Sequence, residues 1–281
     1  AAARASRLTP SAVSKLVARL EGRLGTRLIN RTTRSLGLTA EGAAFYERCV
    51  RILADIDDAE RLAGSGENSA GTVRLSTSAA YATHVLIPVL PEFLRANAEI
   101  GVDLTLTDTV IDLLGEHVDV AVRAGPLESS RLIARKLGAT QMAVVGSPAY
   151  LEEAGTPTAV DDLARHTTIG LCTARSVEHW PFVVEGRRVA VPTLGRTQTN
   201  DGEGLRHMAL AGTGLARLAR FMIETDIAAG RLIPVLEAFN PGDRKDFHAV
   251  YLGQGGPIPA RVRTLLDFLV ERGRIPSLPA R

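Results

Sequence analysis

From Thr72 onward the chain switches back and forth between two hydrophobic periods, and no other feature restricts its fold as tightly. Val73, Leu75 and Thr77 recur every second residue, as one face of a strand requires. Val85, Leu86, Val89, Leu90 and Phe93 then recur at helical spacing, which predicts a helix over 81–96. Residues 102–106 and 118–123 alternate again. Strand–helix alternation of this kind predicts an α/β fold with a parallel sheet covered by helices. A second set of strand-like runs covers 141–146, 168–171, 188–191, 196–199, 214–218 and 232–235. A strand over 247–252 is expected to return the chain to the first set, followed by a closing helix over 259–272. The result is two α/β lobes crossed by two chain segments, one lobe formed by 72–140 and 250–281 and the other by 141–249. Ligands of open α/β sheets sit beyond the carboxyl ends of the strands, so a cleft between the lobes is the expected binding place.

The first seventy residues obey a different pattern. Thr9 suits a helix N-cap, and Pro10 the first helical position. Val13, Leu16, Val17, Leu20 and Leu24 follow at helical spacing, and Gly25 suits the residue just past the helix. The opposite face carries Ser11, Ala12, Ser14, Lys15, Ala18 and Arg19, which are short, hydrogen-bonding or cationic. Such a face can enter a DNA major groove without bulk or charge repulsion. Residues 1–6 form a small-residue helical stretch before it, so helix, tight turn, helix is the expected order. Residues 28–39 alternate like a hairpin with Arg31 and Arg34 near its tip, as a wing touching phosphate or minor groove requires.

Charge agrees with this division. Residues 1–34 hold eight basic side chains against Glu21 alone, leaving 25 basic and 30 acidic residues in the rest of the chain. A basic head on an acidic body suits a polyanionic partner, although a solvated basic face would look the same. Between the two parts, Thr39 can cap a long helix over 40–63. Phe45, Cys49, Ile52, Ile56, Ala59 and Ala63 step along it by fours and threes, which is a coiled-coil seam or the buried face of a helix packed on its own domain. Residues 64–71, rich in Gly and Ser, read as a hinge.

The run SAVSKLVARLEGRLGTRLINRTTRSLGLTAEG resembles the winged helix-turn-helix of LysR-type transcriptional regulators. The resemblance lies in Leu20-Glu21-Gly22-Arg23-Leu24-Gly25-Thr26-Arg27-Leu28, in Asn30-Arg31, and in Leu38-Thr39 followed by Gly42. The rest of the chain resembles the family's effector-binding domain, which has a periplasmic-binding-protein-like architecture. Residues 1–39 then form the DNA-binding domain, 40–63 the linker helix, 64–71 the hinge and 72–281 the effector-binding domain. Family members carry a complete helix before the Ala-Ala-x-x-Leu helix in which this sequence begins. The expectation is therefore an N-terminally truncated DNA-binding domain that lacks its first helix and an initiator Met.

The resemblance implies a regulator that binds double-stranded promoter DNA through Ser11, Ala12, Ser14, Lys15 and Arg19, and through the wing residues Asn30, Arg31, Thr32, Thr33 and Arg34. It also implies homodimers or homotetramers held by the linker helix. In the effector domain, Ser76-Thr77-Ser78 ends the first strand where a helix begins; this is an anion site or a plain N-cap. The family contacts effector at this turn. The run 119–125 resembles a family strand whose Arg123 and Gly125 sit at the cleft mouth, where Arg123 could clamp a carboxylate or pair with a neighbour. Asn200, Asp201 and Gly214 match family positions on the other side of the cleft, although Asp201 could simply cap a helix. Thr173 ends a further strand there.

Other function classes find little support. There is no nucleophile elbow, no HExxH and no P-loop lysine. The six histidines are scattered and read as structural or exposed, so no metal or cofactor is expected. Cys49 and Cys172 are far apart, which argues against a disulfide scaffold. No apolar run reaches membrane-spanning length, and no signal-like segment opens the sequence, so the expected compartment is a reducing cytoplasm. A solute-binding protein without DNA function is the alternative reading, and the basic head opposes it.

Overall fold

The structure is a computed structural model describing residues 9–31, 36–64, 70–108, 118–125, 132–171, 179–193, 195–253 and 258–276. It divides into two compact units, Ala1–Gly66 and Glu67–Arg281.

In the first unit, helix α1 (Pro10–Leu24) starts at Thr9, whose hydroxyl accepts the Ala12 N–H. It ends at Gly25 in the left-handed conformation, φ 68°. Strands β1 (Ile29–Arg31) and β2 (Leu36–Leu38) pair antiparallel, with Ile29 opposite Leu38. Helix α2 (Ala40–Gly64) follows. Thr39 joins the parts: its hydroxyl donates to the Arg27 carbonyl at 2.7 Å and accepts the Gly42 N–H at 2.9 Å. Leu28 is buried, whereas Leu16 and Leu24 on the apolar stripe of α1 remain 54% and 39% exposed.

The second unit begins with β3 (Gly71–Thr77), followed by Ser78, which caps the next helix by accepting the Tyr81 N–H at its Oγ. The helix expected over 81–96 is divided. A short α3 (Ala79–Tyr81) passes through a π-helical turn (Ala82–Leu86) into α4 (Ile87–Ala96). Pro88 and Pro91 lie just beyond the turn and have no N–H for the carbonyls four residues back, which disfavours regular α-geometry there. Strands β4 (Ile100–Leu106) and β5 (Val120–Ala124) both run parallel to β3.

Strand β6 (Leu132–Gly146) is fifteen residues long and serves both lobes. Its first part pairs with β13 (Arg244–Leu252), and its second with β11 (Ala216–Ala219) and β12 (Ile233–Val235), all antiparallel. Strand β13 is also antiparallel to β5. The sheet order is β11-β6-β13-β5-β3-β4, with β12 on β6. The expected parallel sheet is thus mixed, parallel only among β3, β4 and β5. Side-chain alternation reports which face of a strand is buried and carries no information on strand direction. Strand β13 starts at Arg244, in a charged stretch that hydrophobicity did not mark, so a lobe boundary at 249/250 falls inside it.

The second lobe adds α5 (Pro148–Ala154), a 3-10 turn (Val160–Arg165), the parallel pair β7 (Ile169–Leu171) and β10 (Thr197–Thr199), and the hairpin β8 (His179–Val184)–β9 (Arg187–Pro192). Helix α6 (Gly202–Leu210) and helix α7 (Arg220–Ala228) pack on it. Helix α8 (Ala260–Glu271) returns to the first lobe. Separate cores mark the lobes: Val73, Leu75, Phe93, Leu137 and Leu265 in the first, and Ile169, Leu205, Leu218 and Ile223 in the second. Trp180, Phe182, Leu151 and Leu163 form a further core under the β8–β9 hairpin.

Candidate nucleic-acid interface and effector cleft

On α1, Ser11, Lys15 and Arg19 are exposed, and Ala12 and Ser14 are half-buried. The Ser11 hydroxyl lies 3.1 Å from that of Thr9. Ser11, Lys15 and Arg19 are thus the members of this face most open to solvent. Glu21 has a different task. Its Oε1 accepts the N–H groups of Leu28 and Ile29, at 2.8 and 3.1 Å, and so ties the end of α1 to the start of β1. Asn30 is exposed on β1. Thr32, Thr33 and Arg34 lie outside the described residues, as does the side chain of Arg31.

Along α2, Phe45 and Cys49 are half-buried, and Ile52 and Ile56 are 54% and 47% exposed. The side chain of Ala59 lies outside the described residues. Tyr46, Val50 and Leu53 are also exposed. The apolar stripe is therefore wider than the predicted seam.

In the first lobe Ser76 and Arg123 are brought together: the Arg123 Nη2 donates to the Ser76 Oγ at 2.8 Å, and its Nη1 to the Val122 carbonyl at 3.0 Å. Ser76 and Thr77 are fully buried. The Thr77 hydroxyl has no hydrogen-bond partner, while its main-chain carbonyl accepts the Thr107 N–H at 2.8 Å. Gly125 ends β5 at φ 97° and donates its N–H to the Asp246 carbonyl.

In the second lobe Asp201 caps α6, its Oδ1 accepting the Gly204 N–H at 2.8 Å. Asn200 is exposed beside it. Gly214 is buried where chains cross, and a β-carbon there would lie 2.4 Å from the Thr167 carbonyl. Gly125 and Gly214 thus have backbone reasons to be glycine. Thr173 lies outside the described residues.

Three further residues, outside the positions selected from sequence, join the two lobes. Asp108, just beyond β4, accepts the Gly202 N–H at 3.2 Å. His84, on the π-helical turn, lies 2.6 Å from Glu203. Asp108 follows a strand end, and that rule could have flagged it; nothing local distinguishes His84 or Glu203. Asp108 is open to solvent as a residue, yet partial desolvation of its carboxyl raises its pKa. Asp201 raises it further, against the Gly202 amide, Arg123 and Lys245. For Glu203, desolvation is outweighed by the His84 hydrogen bond and by His84, Arg206 and His207 charge, so its pKa is lowered. Behind it, Asp226, fully buried, holds Arg206 and Arg231, each at 2.6 Å. Among the described residues no group of His, Cys, Asp and Glu is placed to hold a metal ion, and no helix is long and apolar enough to cross a membrane.

An exposed small-residue and cationic helix face followed by a paired hairpin, together with a two-lobed α/β unit whose lobes meet through polar contacts, fits a DNA-binding regulator that carries a ligand-binding domain. Two family patterns match: a bacterial regulatory helix-turn-helix protein of the lysR family over residues 1–43, and a LysR substrate binding domain over residues 66–274. The chain belongs to the LysR family of transcriptional regulators. It is 37% identical to the HTH-type transcriptional regulator CrgA of Neisseria meningitidis over 262 residues, covering 93% of this chain and 87% of that protein. It is 31% identical to the HTH-type transcriptional activator AaeR of Escherichia coli over 98% of this chain and 90% of that one. The structure of CrgA superposes with a TM-score of 0.68 at 34% identity, covering 97% of this chain and 92% of that one. The full-length Vibrio cholerae virulence activator AphB gives 0.68 at 25% identity, over 96% and 92%. Family and structure favour a transcriptional regulator over a solute-binding protein.

Proposed function

We propose that this regulator reads promoter DNA with Ser11, Ala12, Ser14, Lys15 and Arg19 in the major groove. Asn30, Arg31, Thr32, Thr33 and Arg34 hold the backbone at the wing. The effector is a small organic anion bound between the lobes at Ser76, Thr77, Ser78 and Arg123, with Gly125, Thr173, Asn200, Asp201 and Gly214 shaping the walls. Two copies pair through the exposed apolar stripe of α2, around Phe45, Cys49, Ile52, Ile56 and Ala59, and the protein acts in the cytoplasm with its DNA.

What carries the anion reading is Thr77. Its hydroxyl is completely buried and unpartnered at the end of β3. An unmade hydrogen bond of this kind costs about 1–3 kcal/mol, and a ligand oxygen would remove that cost. Arg123, bonded to the adjacent Ser76, adds positive charge at the same strand end. Calorimetric titration with sodium benzoate tests the reading. Thr77→Val preserves volume and removes the hydroxyl. It should weaken benzoate binding about fivefold or more, the equivalent of one hydrogen bond; equal affinity in the two proteins would exclude Thr77 from the site.

A further inference from the structure

Among the polar contacts that join the lobes, two from the first lobe land on the first turn of α6. One is the Asp108 carboxylate on the Gly202 N–H, 3.2 Å. The other is His84 on Glu203, 2.6 Å. The lobes are also closely packed here, for a β-carbon added at Gly202 would lie 3.6 Å from that of Ala80 on α3. Asp108 approaches from the candidate effector site itself. Thr77 pairs with Leu106 in the β3–β4 ladder, and the Thr77 carbonyl holds the Thr107 N–H. Asp108 is the next residue.

The start of a helix offers unsatisfied N–H groups and a positive dipole end, and both attract carboxylates. At α6 that capacity is already used. The helix's own cap, Asp201, takes the Gly204 N–H, and the Gly202 N–H goes to a carboxylate supplied by the opposite lobe. Asp108 is an imperfect occupant. It stands near Asp201, a like charge that opposes its ionisation, and its carboxyl is partly desolvated. At 3.2 Å the bond is longer than the about 2.7–2.9 Å of a strong charge-assisted pair, as suits a contact that a ligand can replace.

We propose that Asp108 is an internal stand-in for the effector's anionic group: it latches the two lobes across the cleft in the ligand-free protein, and an effector carboxylate displaces it from the Gly202 amide on binding. This rests on the reading of the effector as an organic anion. Displacement frees the first turn of α6 from β4. The His84–Glu203 pair on the same turn must then adjust, and through Glu203 so must Arg206 and Asp226, to which Glu203 is linked. Release of one bond is thereby connected to the packing of the second lobe. Because the latched state must open before the ligand gains the amide, the latch lowers apparent effector affinity by the fraction of molecules that are closed.

Hydrogen exchange and calorimetry on the full chain, with sodium benzoate as the probe, test the latch. In Asp108→Ala the amides of 202–204 should exchange at least about fivefold faster, while those of 265–269 in α8 stay as they are. Benzoate should bind Asp108→Ala about fivefold or more tightly than wild type, the low end of ordinary site coupling. Asp108→Asn, which can still accept a hydrogen bond without the charge, should fall between. Unchanged exchange at 202–204, or benzoate affinity that is equal or weaker in Asp108→Ala, overturns the latch. Thr77→Val separates this from the parent reading. If it weakens benzoate binding while Asp108→Ala leaves binding unchanged, the anion site stands and the latch falls. If Asp108→Ala tightens binding while Thr77→Val has no effect, the latch stands and the anion contacts α6 without Thr77.

Discussion

A β-carbon added at Gly42 would lie 1.9 Å from the main-chain oxygen of Leu28. The first turn of α2 therefore presses directly on the chain entering β1, and Thr39 stitches the same place through its bonds to Arg27 and Gly42. Gly42→Ala must push α2 away from the hairpin, and backbone cannot yield as a flexible side chain can. Operator affinity should drop at least about tenfold, equivalent to roughly 1.4 kcal/mol, with the 67–281 unit unaffected in a thermal melt. Fluorescence anisotropy with upstream DNA measures the first effect.

Glu21 is an acid inside a basic helix, and its place is explained by the two N–H groups it accepts from Leu28 and Ile29. Glu21→Ala leaves both without this partner, at a cost of about 1–3 kcal/mol. Glu21→Gln keeps an acceptor and should recover part of the loss. If Glu21 aims the wing, the alanine variant will also show a shallower fall of affinity with salt, since fewer phosphates are engaged. An unchanged salt slope would restrict Glu21 to a stability role.

Asp226 is fully buried between two arginines, Arg206 and Arg231. Asp226→Asn removes the charge, leaving Arg206, only 15% exposed, with Glu203 as its remaining carboxylate at 3.4 Å and Arg231 facing a neutral amide. Loss of one member of such a cluster costs about 3–5 kcal/mol. Urea denaturation should show that loss in the larger unit.

Acid should destabilise the larger unit through the same groups. Burial alone would raise the Asp226 carboxyl, but hydrogen bonds from Arg206 and Arg231 prevail and its pKa is lowered; Glu203 is lowered likewise through His84 and Arg206. A folded-state pKa below the unfolded value means that the stabilisation is present above the ordinary carboxylate range, about pH 4. It is lost as pH falls through the folded-state values. Asp108, raised, contributes in the opposite sense. The melting temperature of wild type should fall steeply below about pH 4, and more shallowly in Asp226→Asn, which has lost one of the lowered carboxyls.

The sequence by itself determined everything that depends on neighbours within about one helical turn or one strand. Thr9, Pro10 and Gly25 bound α1 as read, because capping bonds join residues three or four apart. The two hydrophobic periods placed β3, β4, β5 and α8 to within a few residues, and the winged helix-turn-helix was legible in its spacing. Tertiary structure alone decided strand direction, since a buried face reads the same from either end, and so the antiparallel course of β6 and β13 was hidden. It also decided which polar residues meet. Asp108 and Gly202 are 94 residues apart, and His84 and Glu203 are 119 apart. Ser78 and Asp201 could be read from the sequence as ligand groups or as caps, and the structure shows the capping bonds of both; Gly214 sits where the backbone passes Thr167, a crossing that no local pattern records. A side chain's chemistry is written in its residue type, but its partner is set by where two distant segments are packed, and local periodicity carries no record of that distance.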